Sequence, residues 1–145
     1  MKTQVFLTNM FDLDELVFSA IAEKNLLHEQ WIVSASIVNC LANLCIYVLD
    51  RMKEKFPDMV ITSGYRCRTL NAWVKGVVSS QHMRGEAVDV THSDLDALWE
   101  FVKELTVDQA IRYNTFIHVS FKLGYNRNQY IDRRSIQELT SYAQD

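Results

Sequence analysis

The sequence predicts an α+β fold in which helices pack on one side of a small, mainly antiparallel sheet. Apolar residues recur at helical spacing over several stretches, and the longest of these ends at Lys55. Short β-branched and aromatic runs, such as residues 116–121, have the composition of strands. Two such runs flank Asn114-Thr115 closely enough to form a hairpin. Helices together with paired strands are typical of this fold class.

Length and composition indicate a single globular domain covering residues 1–145. Hydrophobic residues make up 48% of the chain, and there are only one proline and four glycines, which is typical of a folded rather than a disordered protein. A net charge of −3 gives no broad attraction to nucleic acid, so no nucleic-acid partner is expected. We expect the chain to act as a monomer.

Neither a membrane partner nor a secretion signal is predicted. No apolar run is identified that approaches the roughly 18 residues of a membrane span. The segment before Asp12 has one lysine and no apolar core, which is unlike a signal peptide. The three cysteines, Cys40, Cys45 and Cys67, are odd in number and lack CxxC spacing. We therefore expect the cysteines to be small buried hydrophobic residues in a reducing compartment and not to form disulfides.

Capping and periodicity place the elements along the chain. Asp12 and Glu15 form a capping-box-like start for a first helix that is expected to end near Asn25. The longest helix is predicted to start at Ser34 or Ser36 and to stop before Pro57. The other predicted elements are a strand over Met59–Thr62, a helix over Thr69–Lys75 with Gly76 as C-cap, a strand over Ala87–Val90, a helix capped by Ser93 and ending near Leu105, the hairpin over 108–121, and a weakly helical polar segment over the last dozen residues.

Candidate metal ligands lie in two of the predicted strands and in the loop before one of them. His82 follows a loop over residues 77–81, and Asp89 is the one charge inside an apolar run. Gly85, between them, permits a backbone angle that other residues resist. A carboxylate in such a strand is costly unless a positive group meets it, and a metal ion is the simplest candidate. His118 interrupts the apolar strand over 116–121 in the same way.

Two histidines and a carboxylate, with a fourth position left for water, form the ligand set of a catalytic zinc site. Zinc is therefore the expected ion, although nitrogen and oxygen ligands also suit other divalent cations. A simpler alternative is that both histidines are hydrogen-bonded core residues. His92 is a poor further ligand, because three residues after Asp89 it points to the opposite face of an extended strand. His28 is expected to be solvated.

Five short motifs follow one another in the chain. They are Ser63-Gly64-Tyr65-Arg66, Leu70-Asn71, Ser80-Gln81-His82, Gly85–Asp89 and Ile117–Ser120. Their order resembles that of the zinc D-alanyl-D-alanine carboxypeptidase family, the peptidoglycan-cleaving metallopeptidases that include many phage endolysins. The resemblance runs from about Phe11 to Phe121. It implies a D,D-carboxypeptidase or endopeptidase acting on peptidoglycan peptides, which another system would have to carry to the cell wall.

The resemblance also implies residues that contact the substrate. Arg66 would supply a fixed positive charge beside the site, suited to a bidentate grip on a substrate carboxylate. Ser80 would contact substrate or orient a ligand, because a metal-bound imidazole usually has its other nitrogen fixed. Gln81 is placed with them as a substrate-binding residue.

The general base is harder to assign. Relatives place an acid three residues before the second histidine or slightly earlier, where this chain has Thr115 and Tyr113. Asp108 and Glu86 are the remaining nearby acids, and Asp108 is the candidate for the catalytic base. Asp108 is equally suited to a structural role, because a two-residue hairpin loop puts it on the face opposite His118.

Two other functions stay open at the level of sequence. The chain could bind metal but be catalytically weak, serving as a wall-binding or virion-associated module. It could also be a small α+β domain whose histidines only fill the core.

Overall fold

The computed structural model describes residues 4–134 and has the predicted α+β architecture. The weakly helical segment predicted for the last dozen residues lies outside this range. Five strands form one sheet: β1 is Val60–Ser63, β2 is Ala87–Thr91, β3 is Gln109–Arg112, β4 is Ile117–Ser120 and β5 is Gln129–Asp132. Their order is β1-β2-β4-β3-β5, and only the β3–β5 pair is parallel.

The helices cover the sheet. They are α1 Leu13–Val17, α2 Ala20–Lys24, α3 Ala35–Leu44, α4 Asp50–Lys55, α5 Arg68–Trp73 and α6 Leu95–Val102, with 3₁₀ turns at His28–Trp31 and Gln81–Arg84. A π-helical turn, Cys45–Leu49, joins α3 to α4. One hydrophobic core takes side chains from Phe11 to Phe121 along the chain. Burial of this shared apolar surface stabilises helices and sheet together.

The predicted long helix is present as the continuous helical segment Ala35–Lys55. Ser34 caps it by accepting a hydrogen bond from the amide of Ile37 (3.2 Å). Its 21 residues are long and apolar enough to cross a membrane by length and composition alone, so the expectation that no such run exists is wrong. Leu41, Leu44 and other side chains of this segment are fully buried in the protein core, and the core helix of a globular domain meets the same two criteria.

The first predicted helix is wrong as a single element, because it divides at Phe18 into α1 and α2. Asp12 caps α1 through the amide of Glu15 (2.9 Å), as expected. Phe18 then adopts an extended ψ of 136°. Ser19 starts α2 by accepting from the amide of Ala22 (3.1 Å). A serine that can cap a new helix thus ends the first one early.

Two other predicted caps are displaced by one residue. Asp94 rather than Ser93 caps α6, since its carboxylate accepts from the amide of Ala97 (3.0 Å). After α5, Lys75 rather than Gly76 adopts the left-handed backbone (φ 61°). At Gly76 the side chain of Asn71 packs against the backbone, since a Cβ there would lie 2.2 Å from Oδ1 of Asn71.

The hairpin register is the predicted one. Ile111 lies opposite His118, and Gln109 lies opposite Ser120. Strand β2 pairs with the other edge of β4, which sets Asp89 directly opposite His118. Strand β5 is not among the predicted elements, because residues 122–132 have turn composition. It adds to β3 through long-range parallel pairing.

Candidate active site

The predicted metal ligands come from three elements that meet on one face of the sheet. Asp89 and His118 are partners on neighbouring antiparallel strands, so their side chains point to the same side. His82 lies in the 3₁₀ turn that precedes β2. All three side chains are buried. One ligand atom from each residue lies within 4.8 Å of the other two, so the structure brings the three residues together.

The distances centre on one carboxylate oxygen. Oδ1 of Asp89 lies 3.1 Å from Nδ1 of His118 and 3.3 Å from Nε2 of His82. The two imidazole rings are tilted by 58°, with centroids 5.3 Å apart. Within residues 4–134, Nε2 of each histidine is buried and has no hydrogen-bond partner. Buried polar atoms are rarely left unpaired, and a bound cation would satisfy them.

The tautomer of His82 follows from its second contact. Nδ1 of His82 lies 2.8 Å from the carbonyl oxygen of Gly64. A carbonyl can only accept, so Nδ1 carries the proton and the lone pair of Nε2 faces Asp89. Metal-binding histidines usually have their other nitrogen fixed in this way. The motif containing Gly64 was identified from the sequence, but this role of its carbonyl was not.

Backbone contacts hold the His82 turn and Asp89 in place. Gly85 closes the turn in the left-handed conformation (φ 73°), as its position in the sequence predicts. The amide of Arg66 donates to the carbonyl of His82 (3.1 Å). Thr62 donates its hydroxyl proton to the carbonyl of Asp89 (3.2 Å). These bonds tie β1 and the segment after it to two of the three candidate ligands.

The charge state of Asp89 suits a cation. Complete burial raises the pKa of the Asp89 carboxyl, but the interactions of this carboxyl with the side chains of His82 and His118 outweigh burial and hold the pKa well below its usual range. Asp89 is therefore an anion at ordinary pH. An anionic oxygen beside two imidazole nitrogens is a donor set that suits zinc.

Arg66 and Ser80 lie beside His82 and contact each other. Nη2 of Arg66 donates to Oγ of Ser80 (3.3 Å), and the guanidinium is buried. Ser80 also accepts from the amide of His82 (3.1 Å). Arg66 and Ser80, two of the three predicted substrate-binding residues, thus lie next to the candidate ligand His82. The charged guanidinium of Arg66 is held inside the protein at this position.

Gln30 fixes the segment that carries Arg66, a role that the sequence did not reveal. Its amide nitrogen donates to the carbonyls of Val17 (2.9 Å) and Tyr65 (2.8 Å). Its oxygen accepts from the amide of Cys67 (2.9 Å). Gln30 is fully buried, so three backbone groups that water cannot reach depend on it.

Gln81, the residue directly before His82, donates from Nε2 to Oδ2 of Asp108 (3.0 Å). Arg127 donates to Asp108 through Nε (3.1 Å), Nη2 (2.8 Å) and its backbone amide (3.1 Å). Burial raises the pKa of Asp108, but hydrogen bonds from Arg127 and Gln81 lower it more, so the net pKa is below the ordinary value. The Asp108–Arg127 pair was not predicted, since its members lie 19 residues apart.

The structure also shows the surroundings of the other three positions considered for a general base, which are Glu86, Tyr113 and Thr115. Glu86 pairs with Arg84 at 3.0 Å. Tyr113 is buried and stacks on Phe116 with ring centroids 4.6 Å apart. Thr115 is exposed in the hairpin loop. Neither Tyr113 nor Thr115 is an acid that could replace the one expected there.

The other two histidines lie apart from the ligand cluster, and the cysteines differ in burial, since Cys40 is only partly buried. His92 accepts from the amide of Asp94 (2.9 Å) and lies edge-on to Phe56, away from the ligand cluster. His28 is exposed. The cysteines are free, and Cys45 and Cys67 are buried.

Comparison with known proteins agrees with this site. The model of the Peptidase M15 family matches residues 11–120, most of the chain. No curated protein matches the sequence. Fold and site together define a zinc-dependent metallopeptidase, an enzyme whose substrate is a peptide. The chain belongs to the Peptidase M15 family, which confirms the resemblance to the zinc D-alanyl-D-alanine carboxypeptidases.

Proposed function

We propose that this protein hydrolyses peptide stems of peptidoglycan, as a D,D-carboxypeptidase or an endopeptidase. The observation that carries the proposal is the convergence of His82, Asp89 and His118, whose ligand atoms lie within 4.8 Å of one another. The match to Peptidase M15 supports a peptide substrate. The five sequence motifs that resemble those of peptidoglycan-cleaving enzymes support the cell wall as the source of that peptide.

The proposed ligands are His82, Asp89 and His118. When bound, zinc polarises a carbonyl group and lowers the pKa of water. The chain supplies the environment for that chemistry. Gly64 holds His82 in one tautomer through the 2.8 Å contact, and Asp89 contributes a negative charge. The surrounding burial excludes bulk water and strengthens these electrostatic interactions.

We propose that Arg66, Ser80 and Gln81 bind the substrate. The buried guanidinium of Arg66 is supported by its contact with Ser80 (3.3 Å). A planar guanidinium can grip a carboxylate through two parallel hydrogen bonds. Such a grip would orient the peptide so that its scissile bond faces the ligand cluster, which lowers the entropy cost of reaction.

Asp108 is the residue proposed as general base, and its alternative is a structural acid. The contacts with Arg127 and Gln81 favour the alternative, because a carboxylate saturated by donors binds a proton weakly. In that role Asp108 would position Gln81, the residue directly before His82. Substitution of Asp108 distinguishes the two roles.

A second candidate function is a metal-binding but catalytically weak module that binds the cell wall or forms part of a virion. Two observations favour it. Tyr113 and Thr115 occupy the positions where an acid was expected, and Asp108 is bound by Arg127. Such a protein would bind zinc and wall peptides without appreciable turnover.

Digestion of purified peptidoglycan tests the proposed function. The zinc-loaded protein is expected to release alanine or muropeptides, as measured by chromatography, and a chelator should stop the release until zinc is restored. The variant His82→Ala serves as the matched control and should release nothing. Zinc-loaded protein that binds the wall but releases no product would contradict the peptidase and favour the module.

We also propose that the chain forms one domain and acts as a monomer. The single core formed by residues from Phe11 to Phe121 supports one domain. Light scattering after gel filtration should give a mass near 16.9 kDa. A mass of twice that value would contradict the monomer.

A further inference from the structure

A polar cleft of about 460 Å³ opens beside Gln81, the residue before His82. Its walls come from the loop preceding the 3₁₀ turn, the start of β3 and the segment after β4. It lies next to the candidate metal centre because Gln81 and Asp108 border it. The residues that line it include Gln81, Arg84, Asp108, Lys122 and Arg127.

Cations outnumber acids in this cleft. Arg84, Lys122 and Arg127 line it together with one carboxylate, that of Asp108. Glu86 offsets part of this charge, since its Oε1 lies 3.0 Å from Nε of Arg84. The cleft keeps a positive charge although the net charge of the whole chain is −3. A positive concave surface on an acidic protein favours an anionic occupant.

Two of the cations have hydrogen-bond donors to spare. Lys122 is exposed, and within residues 4–134 its ammonium forms no ion pair. Arg127 binds Asp108 through Nε and Nη2, while its Nη1 makes no hydrogen bond in that part of the chain. Its side chain is 41% exposed. Asp108 thus fixes the plane of a guanidinium whose other edge can bind a carboxylate.

We propose that this cleft binds a carboxylate of the peptide substrate, distinct from the carboxylate assigned to Arg66. The inference rests on the proposed function and adds a specificity site to it. Lys122 and Arg127 are the binding groups, and Arg84 adds positive charge to the lining. Peptides that carry an acidic group away from the scissile bond are bound more tightly than their neutral counterparts.

A matched pair of peptides tests this specificity. One is a stem pentapeptide of L-alanine, γ-linked D-glutamate, L-lysine and two D-alanines, and the other has a carboxamide in place of the α-carboxylate of its D-glutamate. Steady-state rates of amine release by the zinc-loaded protein give kcat and KM for each. The acidic peptide should have the lower KM and a similar kcat, because the cleft contributes binding that does not change during the reaction.

Neutralising Lys122 isolates the contribution of the cleft. Lys122→Gln should raise KM for the acidic peptide by about two- to fivefold, the range of an exposed ion pair, and leave the carboxamide peptide unchanged. Lys24→Gln removes the same charge from an exposed site at the end of α2 and should change neither value. The preference for the acidic peptide should weaken as salt is added.

The inference and the proposed function can fail separately. Cleavage of both peptides with equal KM, or an equal effect of Lys122→Gln on both, overturns the inference and leaves the peptidase intact. If neither peptide is cleaved, calorimetry with the same pair measures binding directly. If the acidic peptide binds more tightly and this preference is lost in Lys122→Gln, the result would support carboxylate binding in the cleft although the protein is not an active peptidase. Equal binding of the two peptides, or no binding of either, would overturn the cleft.

Discussion

The chemistry of this protein depends on a few residues that interrupt apolar surroundings. Asp89 and His118 were identified from sequence because a charged or titratable group inside an apolar strand is costly without a partner, and His82 was identified in the loop that precedes the strand of Asp89. The groups that hydrogen-bond to His82 and to Asp108 could not be identified in the same way. The Gly64 carbonyl that orients His82 belongs to the backbone, which contributes the same polar groups at every position. Arg127 reaches Asp108 from a loop distant in the sequence.

The substitution Asp108→Asn separates a catalytic from a structural role. Because the carboxylate is saturated by Arg127 and Gln81, we expect a loss of about 1–3 kcal/mol in the free energy of unfolding and a less than tenfold fall in kcat. Denaturant unfolding and steady-state kinetics measure the two effects. A fall in kcat of about 10²- to 10⁴-fold at unchanged stability would instead identify Asp108 as the general base.

At the scale of elements, hydrogen bonds from one segment to another hold the short helices and strands in position. Gln30 holds α1 and the segment after β1 through three buried hydrogen bonds. We expect Gln30→Ala to lower the free energy of unfolding by about 2–4 kcal/mol, because backbone groups are left buried and unpaired. Chemical denaturation of the zinc-free protein measures this. Gln4→Ala is the control: it removes one exposed hydrogen bond to Asp12 (2.7 Å) and leaves no buried group unpaired, so it should change stability by less than about 1 kcal/mol.

The turn that carries His82 depends on Gly85, and two glycines allow a matched comparison. Gly85 and Gly124 both have positive φ (73° and 91°), but a Cβ on Gly85 would lie 2.8 Å from the Ile37 carbonyl oxygen, whereas a Cβ on Gly124 would meet nothing within 4 Å. Gly124→Ala should cost about 1–2 kcal/mol from backbone strain alone. Gly85→Ala should cost more and also weaken zinc binding, as measured by competition with a chelator. Equal costs at both sites would contradict the steric argument.

At the scale of the whole molecule, local sequence signals account for part of the architecture. The hairpin register follows from the two-residue loop at Asn114-Thr115, which fixes which residues lie opposite each other. Strand β5 could not be predicted, because it is four residues long, follows a segment rich in turn residues, and is defined by its pairing with β3. The division of the first helix depended on Ser19, which is favoured at a helix N-cap but lies within a run of apolar residues at helical spacing that predicts one continuous helix.

Stability toward acid is a further property of the whole molecule. The pKa values of Asp89 and Asp108 are both lowered in the folded protein, so folding favours their ionised forms. Their contribution is present above the unfolded-state pKa of about 3.9 and is lost as pH falls through the lower folded values. Zinc-free protein should therefore lose stability below about pH 4 in denaturant titrations. Arg127→Gln should make this loss smaller, and an unchanged acid dependence would contradict the assignment for Asp108.

The most direct test of the central claim is anomalous diffraction at the zinc edge from crystals of the zinc-loaded protein. The account predicts one peak about 2.0–2.2 Å from Nε2 of His82, a carboxylate oxygen of Asp89 and one ring nitrogen of His118. The peak should be absent from crystals of Asp89→Ala grown under the same conditions. A stoichiometric zinc peak that does not touch all three side chains, or no peak among them, would contradict it.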